Sequence, residues 1–127
     1  MSEKSVAQKL GLKAGRTLLV AHAPAEIGDL LGTVPDGAHW TQTGQGPFPL
    51  ILMFARNRAA MVGELPDCKA KLAAGGALWI AYAKGTSSKA ADINRDTIRD
   101  YVTTIGFDTV AQIAIDTDWS ALRLKIV

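Results

Sequence analysis

Cysteine is nearly absent from this chain, because Cys68 is the only one among 127 residues. A single cysteine excludes an internal disulfide and supplies no cysteine cluster for a metal, and it fits a reducing compartment such as the cytoplasm. Histidine is also scarce, with only His22 and His39. Two histidines and one cysteine do not give a set of metal ligands at the usual spacing. We therefore predict a cytoplasmic protein with no metal site.

A strong charge imbalance and a long apolar run are missing as well. Fourteen Lys and Arg residues against twelve Asp and Glu residues leave a formal net charge of +2, and the basic residues are scattered along the sequence. This balance does not favour a nucleic-acid-binding protein. No apolar run reaches the roughly 20 residues of a membrane span. The polar start, MSEKSVAQKL, lacks the apolar core of a signal peptide. We expect no nucleic-acid partner and no membrane partner.

The chain does have enough apolar sequence for one core. With 48% hydrophobic residues, a chain of this length buries about two thirds of the surface that its unfolded form exposes. We expect a single domain over residues 1–127. Three apolar runs bounded by glycine or proline predict strands that are covered on both faces, at residues 16–23, 50–55 and 77–83.

Helical signals separate these runs. Caps and apolar spacing predict helices over residues 5–10, 26–31 and 94–105. After Asn57 a further helical stretch is interrupted by Pro66, so we predict two short helices or a kinked one there. Residues 38–42 predict a short strand and residues 43–49 a loop. The runs 109–115 and 121–127 are joined by only five residues, which predicts an antiparallel hairpin. The whole pattern predicts an α/β fold, a mostly parallel sheet with helices on both faces and a C-terminal antiparallel hairpin.

Four segments carry a resemblance to a known family, namely LLVAHAP, LILMFA, LAAGGALWIAYAKG and the terminal AQIAIDTDWSALRLKIV. They resemble the fold of S-adenosylmethionine-dependent methyltransferases, a Rossmann-like sheet whose final strand runs antiparallel to the rest. Nearly the whole chain is similar to a family of small, uncharacterised bacterial proteins that look like reduced relatives of those enzymes, and DTDWSALRL is the most particular part. The resemblance implies a Rossmann-like fold and a bacterial origin, and it implies no activity.

The residues argue against the cofactor pocket of such a fold. A nucleoside at the first strand requires glycines at the turn, because a Cβ there keeps the ligand away from the backbone, and it requires an acid near the end of the second strand to hold the ribose. Here the turn is His22, Ala23 and Pro24, and the second strand ends in Thr41, Gln42 and Thr43. We leave the cofactor open and do not expect S-adenosylmethionine in the usual pocket.

One edge of the methyltransferase sheet is also predicted to be missing. Eight residues separate Thr41 from Leu50, and a fully extended chain of that length spans roughly 26 to 29 Å. A connection of that length can run back beside a short strand, but it is too short to contain another helix and strand. We therefore predict a methyltransferase-like sheet without one edge unit.

A polar loop after the third apolar run is the best candidate for ligand binding. Its residues are Lys84, Gly85, Thr86, Ser87 and Ser88. Backbone N–H groups, hydroxyls and lysine at a strand end suit a phosphate or a carboxylate. The spacing is not that of a P-loop. The alternative is a solvated loop with Asp92 or Asn94 as the cap of the next helix.

His22 is a weak catalytic candidate. It follows a strand at the position where open α/β sheets bind ligands, and histidine acts as a general base near neutral pH. It has no obvious acid partner in the sequence, so an exposed or hydrogen-bonded histidine is the alternative. Arg56 and Lys84 are expected at the same end of the sheet, where the three side chains suit an anionic ligand unless they are simply solvated.

The turn between the last two strands holds the remaining candidates. Asp116 and Asp118 are typical of residues that bond the local backbone of a turn. Trp119 packs over the end of the sheet or stays exposed for a partner.

Taken together, the sequence predicts a degenerate methyltransferase-like domain without methyl transfer that acts as a binding or interaction module. The alternative is a small-molecule enzyme, including a methyltransferase, that uses the cleft at the carboxyl ends of the strands. An edge strand left uncovered also allows a homodimer.

Overall fold

A computed structural model describes residues 4–85, 87 and 91–126. Its elements in chain order are α1 (Val6–Leu10), β1 (Thr17–Ala21), α2 (Ile27–Leu31), β2 (His39–Thr41), β3 (Phe48–Phe54), α3 (Arg58–Ala70), β4 (Leu72–Ala83), α4 (Arg95–Thr104), β5 (Phe107–Ala114) and β6 (Trp119–Ile126). The strands form one sheet in the order β2-β1-β3-β4-β6-β5.

The direction of the strands defines two ends of this sheet. The first four strands are parallel, and β6 is antiparallel to β4 and β5. We call the end where β1 to β4 finish the carboxyl end, and the opposite end the amino end. The mostly parallel sheet and the C-terminal antiparallel hairpin are confirmed.

Helices cover both faces of the sheet, as predicted. On one face α1 and α2 pack in a cluster with Val20, Phe54 and Trp79. The indole Nε1 of Trp79 donates to the carbonyl oxygen of Leu10 at 3.0 Å, which fixes the end of α1 to the sheet. On the other face α3 and α4 bury Met61 and Ile98 against the strands. The apolar runs of the sequence therefore supply both layers of the core.

Of the two alternatives predicted at Pro66, the pair of short helices is wrong, because α3 is one helix of 13 residues with Pro66 inside it. Proline has no N–H, so the carbonyl oxygen of Val62, four residues earlier, loses its usual donor. The Tyr101 hydroxyl from α4 donates to that oxygen at 3.3 Å. A side chain from the neighbouring helix thus replaces the missing backbone bond.

Several strand boundaries also differ from the prediction, and those of β3 and β4 alter a predicted loop and a predicted glycine stop. The third strand begins at Phe48, inside the predicted loop 43–49, and β4 begins at Leu72 rather than residue 77. Leu72 lies opposite Phe48 and Ala77 opposite Leu50, so the four residues 73–76 bulge opposite one residue of β3. A Cβ at Gly76 would lie 2.9 Å from the carbonyl oxygen of Ala73. Glycine is therefore required at Gly76, and the pair of glycines shapes a bulge instead of ending a helix.

The predicted absence of one edge unit agrees with the topology. Within the described residues, β2 is three residues long, pairs only with β1 and is followed directly by β3. No helix in the described part of the chain has the length and apolar character needed to cross a bilayer.

Candidate functional site at the carboxyl end of the sheet

His22 lies directly after β1 and has an acid partner that the sequence did not reveal. Its Nε2 is 3.4 Å from Oε2 of Glu64 on α3. The His22 side chain is 48% exposed and that of Glu64 33%, so water screens the pair. The sequence shows no obvious acid partner for His22, and the fold supplies one. No local pattern links the two residues, because Glu64 reaches the strand end from a different element.

The backbone at His22 is strained. Its φ of 57° makes it the one non-glycine residue with positive φ in the described chain. An L-residue in this region costs about 1–2 kcal/mol, which glycine avoids. The turn thus has a conformation suited to glycine but carries an imidazole. Such strain at the end of a strand is typical of sites under a functional constraint.

The rest of the first turn is filled by ordinary side chains. Ala23 packs against the core cluster on the face of α1 and α2, and Pro24 precedes the short helix α2. At the end of β2, the Thr41 hydroxyl donates to the carbonyl oxygen of Thr43 at 3.1 Å and accepts from the N–H of the same residue at 3.3 Å. The group that stands where a ribose-binding acid would be is therefore engaged in a local turn.

The described part of the polar loop is bound to the β5–β6 turn. Lys84 Nζ donates to the carbonyl oxygen of Asp116 at 2.6 Å. The backbone N–H of Lys84 donates to the carbonyl oxygen of Asp118 at 2.8 Å. The Ser87 hydroxyl donates to a carboxylate oxygen of Asp118 at 2.8 Å. Gly85 lies between them. Thr86 and Ser88 lie outside the described residues, so ligand binding by this loop stays a prediction.

The two candidate caps after this loop serve different helices. The Asn94 side chain accepts from the N–H groups of Asp96 and Thr97, which satisfies the first turn of α4. Asp92 accepts from the N–H of Arg58 at 2.8 Å, at the start of α3. These amides at the starts of α3 and α4 therefore already have acceptors.

Asp116 has the structural role that the sequence predicts, whereas the carboxylate of Asp118 accepts from the Ser87 side chain. The Asp116 carboxylate accepts from the N–H groups of Asp118 and Trp119, each at 2.8 Å. Trp119 is buried and meets Phe54 edge to face, with centroids 5.1 Å apart and an interplanar angle of 81°. The indole therefore belongs to the core that closes this end of the sheet.

One cavity opens beside these groups. It measures about 360 Å³ and is lined by Pro24, Glu26, Arg56 and Trp119. Arg56 forms no ion pair with any described residue. A separate cavity of about 450 Å³ contains Lys84 and Arg95 among its lining residues. The structure thus brings His22, Arg56 and Lys84 to one end of the sheet but does not join them in a single pocket.

The described residues offer no candidate metal site, since they include no group of three or more His, Cys, Asp or Glu side chains placed to hold an ion. Cys68 is buried on α3, and burial raises the pKa of its thiol to about 11, with Lys71 opposing the shift. A thiol with this pKa stays protonated near neutral pH and is a poor nucleophile.

Comparisons with known proteins point to one fold. No protein-family model matches the chain, and no curated protein matches it. Among solved structures, a SAM-dependent methyltransferase from Aquifex aeolicus has a TM-score of 0.62 at 13% identity, with 96% of this chain and 88% of that chain covered. A TehB-like SAM-dependent methyltransferase from Corynebacterium glutamicum has a TM-score of 0.61 at 12% identity, covering 95% and 85%.

A third similar structure is the glycopeptide N-methyltransferase MtfA complexed with sinefungin, with a TM-score of 0.60 at 11% identity and coverage of 95% and 90%. At such identities the likeness establishes the fold alone. The chain therefore has a methyltransferase-like α/β fold, as the sequence resemblance implied.

Proposed function

We propose that this protein is a methyltransferase-like domain that does not transfer methyl groups and acts as a binding module through the carboxyl end of its sheet. The similar solved structures support the methyltransferase-like part of the proposal. Fold alone does not carry an activity, so the remainder depends on the residues at the strand ends.

The observation that carries the proposal is the turn after β1. His22 holds a left-handed conformation there, Ala23 packs into the core and Pro24 follows. An adenosyl group requires close approach to this backbone, and the Cβ atoms of these residues stand in the way. At the end of β2, the hydroxyl of Thr41 is bonded within its own turn and no carboxylate follows it.

The cavity around Arg56 is the proposed binding site. Its volume of about 360 Å³ falls at the lower end of the range for small-molecule sites. The Arg56 guanidinium suits a carboxylate or phosphate group, and Trp119 provides an apolar wall. The loop that begins at Lys84 borders this wall, because Lys84 bonds to the residue before Trp119. We therefore expect a small anionic ligand.

The contact between His22 and Glu64 favours a second candidate, an enzyme that acts at the same end of the sheet. A carboxylate at 3.4 Å from Nε2 is placed to orient an imidazole, as in a general base with an acid partner. In that case a substrate would contact the exposed part of the His22 ring. Replacement of Glu64 by Gln would then lower turnover without abolishing ligand binding.

A calorimetric titration with S-adenosylhomocysteine and with S-adenosylmethionine tests the first proposal. We expect no saturable heat at ligand concentrations up to about 1 mM, because the side chains after β1 keep an adenosyl group from the backbone. A Kd above about 1 mM corresponds to a binding free energy smaller than about 4 kcal/mol. The Arg56→Ala variant is the matched control. Saturable binding that this variant loses would place an adenosyl ligand at the carboxyl end and would overturn the proposal.

The remaining assignments are part of the same proposal. We propose the cytoplasm as compartment on the basis of the single free cysteine, which is buried. We propose neither a nucleic-acid partner nor a membrane partner. A homodimer would use β2 or β5, the outer strands of the sheet, and sedimentation velocity tests for it.

A further inference from the structure

The amino end of the sheet contains two adjoining cavities that play no part in the proposed function. The smaller measures about 210 Å³ and has Lys13, Arg16 and Arg123 among its lining residues. The larger measures about 670 Å³ and has Arg123, Val110 and Ile126 among its lining residues. Gly75 and Arg123 line both cavities, so the two cavities are neighbours at these residues.

The smaller cavity is basic. Lys13 and Arg16 lie between α1 and β1, and Arg123 lies on β6 opposite Trp79. Among the described residues, no Asp or Glu lines either cavity, and none of these three cations has an ion-pair partner. Positive charges gathered in a concave surface raise the local concentration of anions. The net charge of +2 does not reveal this cluster.

Lys125 also lines the larger cavity, but its surroundings differ. Asp108 lies directly opposite it in the β5–β6 pair, so a carboxylate is placed beside its strand position. We therefore assign anion binding to Lys13, Arg16 and Arg123 and not to Lys125.

The larger cavity has an exposed apolar wall. In the described chain, three large hydrophobic side chains are exposed, and two of them, Val110 (47%) and Ile126 (48%), line this one cavity. Val110 is the extra residue at a register shift between Thr109 and Ala111. A bulge of this kind redirects a side chain away from the regular alternation of the strand.

The bulge at residues 73–76 lies where the two cavities share lining residues. Its residues fall outside the register of β4 with β3 and with β6. A Cβ built at Gly75 would meet no atom within 4 Å, so there is open space beside this residue. Gly75 therefore places no side chain between the cations and the apolar wall.

We propose that the amino end of the sheet binds a small amphiphilic anion. Its phosphate or carboxylate head contacts Lys13, Arg16 and Arg123, and its hydrocarbon part lies along Val110 and Ile126. The volume of the larger cavity is within the range of small-molecule sites, and a polar head joined to an apolar body matches the arrangement of charge and exposed apolar surface.

Isothermal titration with octyl phosphate, kept below its micelle concentration, tests this proposal. Inorganic phosphate and octanol serve as the two half-ligands. We expect saturable binding of octyl phosphate. Each half-ligand should bind at least roughly tenfold more weakly than octyl phosphate, because each lacks one set of contacts. If inorganic phosphate or octanol bound as tightly as octyl phosphate, the proposal would be overturned, since either the apolar or the cationic part of the site would then contribute nothing to binding.

Substitutions locate the binding. Arg123→Ser removes a head contact and Val110→Ser an apolar contact, and each should weaken octyl phosphate binding by roughly tenfold. Arg99→Ser and Val62→Ser are matched controls, because both residues are exposed and lie on the helices of the opposite face. Equal losses in the controls would overturn the proposal. If Arg123→Ser fails to fold by circular dichroism, Arg16→Ser gives the same test.

A third measurement separates a free amphiphile from a membrane. Sedimentation with anionic phosphatidylglycerol vesicles should leave the protein in the supernatant. Co-sedimentation with these vesicles, together with an absence of octyl phosphate binding, would identify a lipid surface as the ligand and would overturn the proposal.

Discussion

The two ends of this sheet differ in what their polar side chains do. At the carboxyl end, where open α/β sheets bind ligands, Lys84, Ser87 and Thr41 are bonded within the protein. Arg56 is the exception at this end, because it lines a cavity without an ion pair to a described residue. At the amino end, Arg16 and Arg123 line a cavity without an ion-pair partner in the described chain. A methyltransferase-like fold therefore does not fix which end of the sheet is available to a ligand.

The largest expected contrast between the two ends is in stability. Trp119→Ala removes a buried ring from the carboxyl end and should lower the free energy of unfolding by about 3–5 kcal/mol. Arg123→Ala on the same strand alters an exposed side chain and should change it by less than about 0.5 kcal/mol. Urea denaturation measures both values. Similar costs for the two variants would contradict the assignment of Trp119 to the core and of Arg123 to the surface.

A second contrast concerns the titration of Cys68, in the half of α3 nearest the amino end. The pKa of the buried thiol is about 11, against an ordinary value of 9.0. The folded protein keeps this proton to higher pH than the unfolded chain, so the stabilisation is complete below pH 9 and is lost as pH rises toward 11. At about 1.36 kcal/mol per unit of pKa, the loss is about 2–3 kcal/mol.

The control for this pH effect is Cys68→Ala. Its free energy of unfolding should fall less than that of the original protein between pH 9 and pH 11, because other groups titrate equally in both. Parallel pH profiles would show that the thiol is open to water.

The strained turn at the carboxyl end gives a smaller effect. His22→Gly and His22→Ala both lose the contact with Glu64, but only Gly adopts a φ of 57° without strain. After the greater chain entropy of glycine is subtracted, His22→Gly should be more stable than His22→Ala by about 1 kcal/mol. Thermal unfolding of the pair measures the difference. A more stable Ala variant would show that the turn is not left-handed in solution.

The smallest effect concerns α3, which carries Glu64 to the carboxyl end. Tyr101→Phe removes the donor to the Val62 carbonyl oxygen and should cost about 0.5–1 kcal/mol. Pro66→Ala returns a backbone N–H to that oxygen, so Tyr101→Phe should cost less in its presence. A double-mutant cycle measures this coupling. Additive costs would mean that the hydroxyl does not compensate for Pro66.

Much of the fold could be predicted from local sequence. The apolar runs, the cap at Asn94 and the short link before Trp119 each act over a few residues, and each prediction matches an observed element. The sequence does not show that α3 continues through Pro66, because the donor that compensates for the proline, Tyr101, comes from another helix. The start of β4 was missed because its first residues form a bulge that no periodicity marks.

The candidate sites were less predictable for the same reason. Glu64 approaches His22 from a helix on a different part of the chain. Arg123 lies near Arg16 only because the antiparallel β6 returns to the amino end of the sheet. The sequence predicted scattered basic residues, and the fold gathers three of them. No local sequence pattern predicts that His22 lies near Glu64 or that Arg16 lies near Arg123.

The central claim is that the carboxyl end does not hold an adenosyl ligand. Equilibrium dialysis of the purified protein against radiolabelled S-adenosylhomocysteine tests it most directly. The steric argument at His22 and Ala23 predicts no saturable binding up to about 1 mM. Saturable binding at micromolar concentration, with loss of affinity in Arg56→Ala, would contradict it.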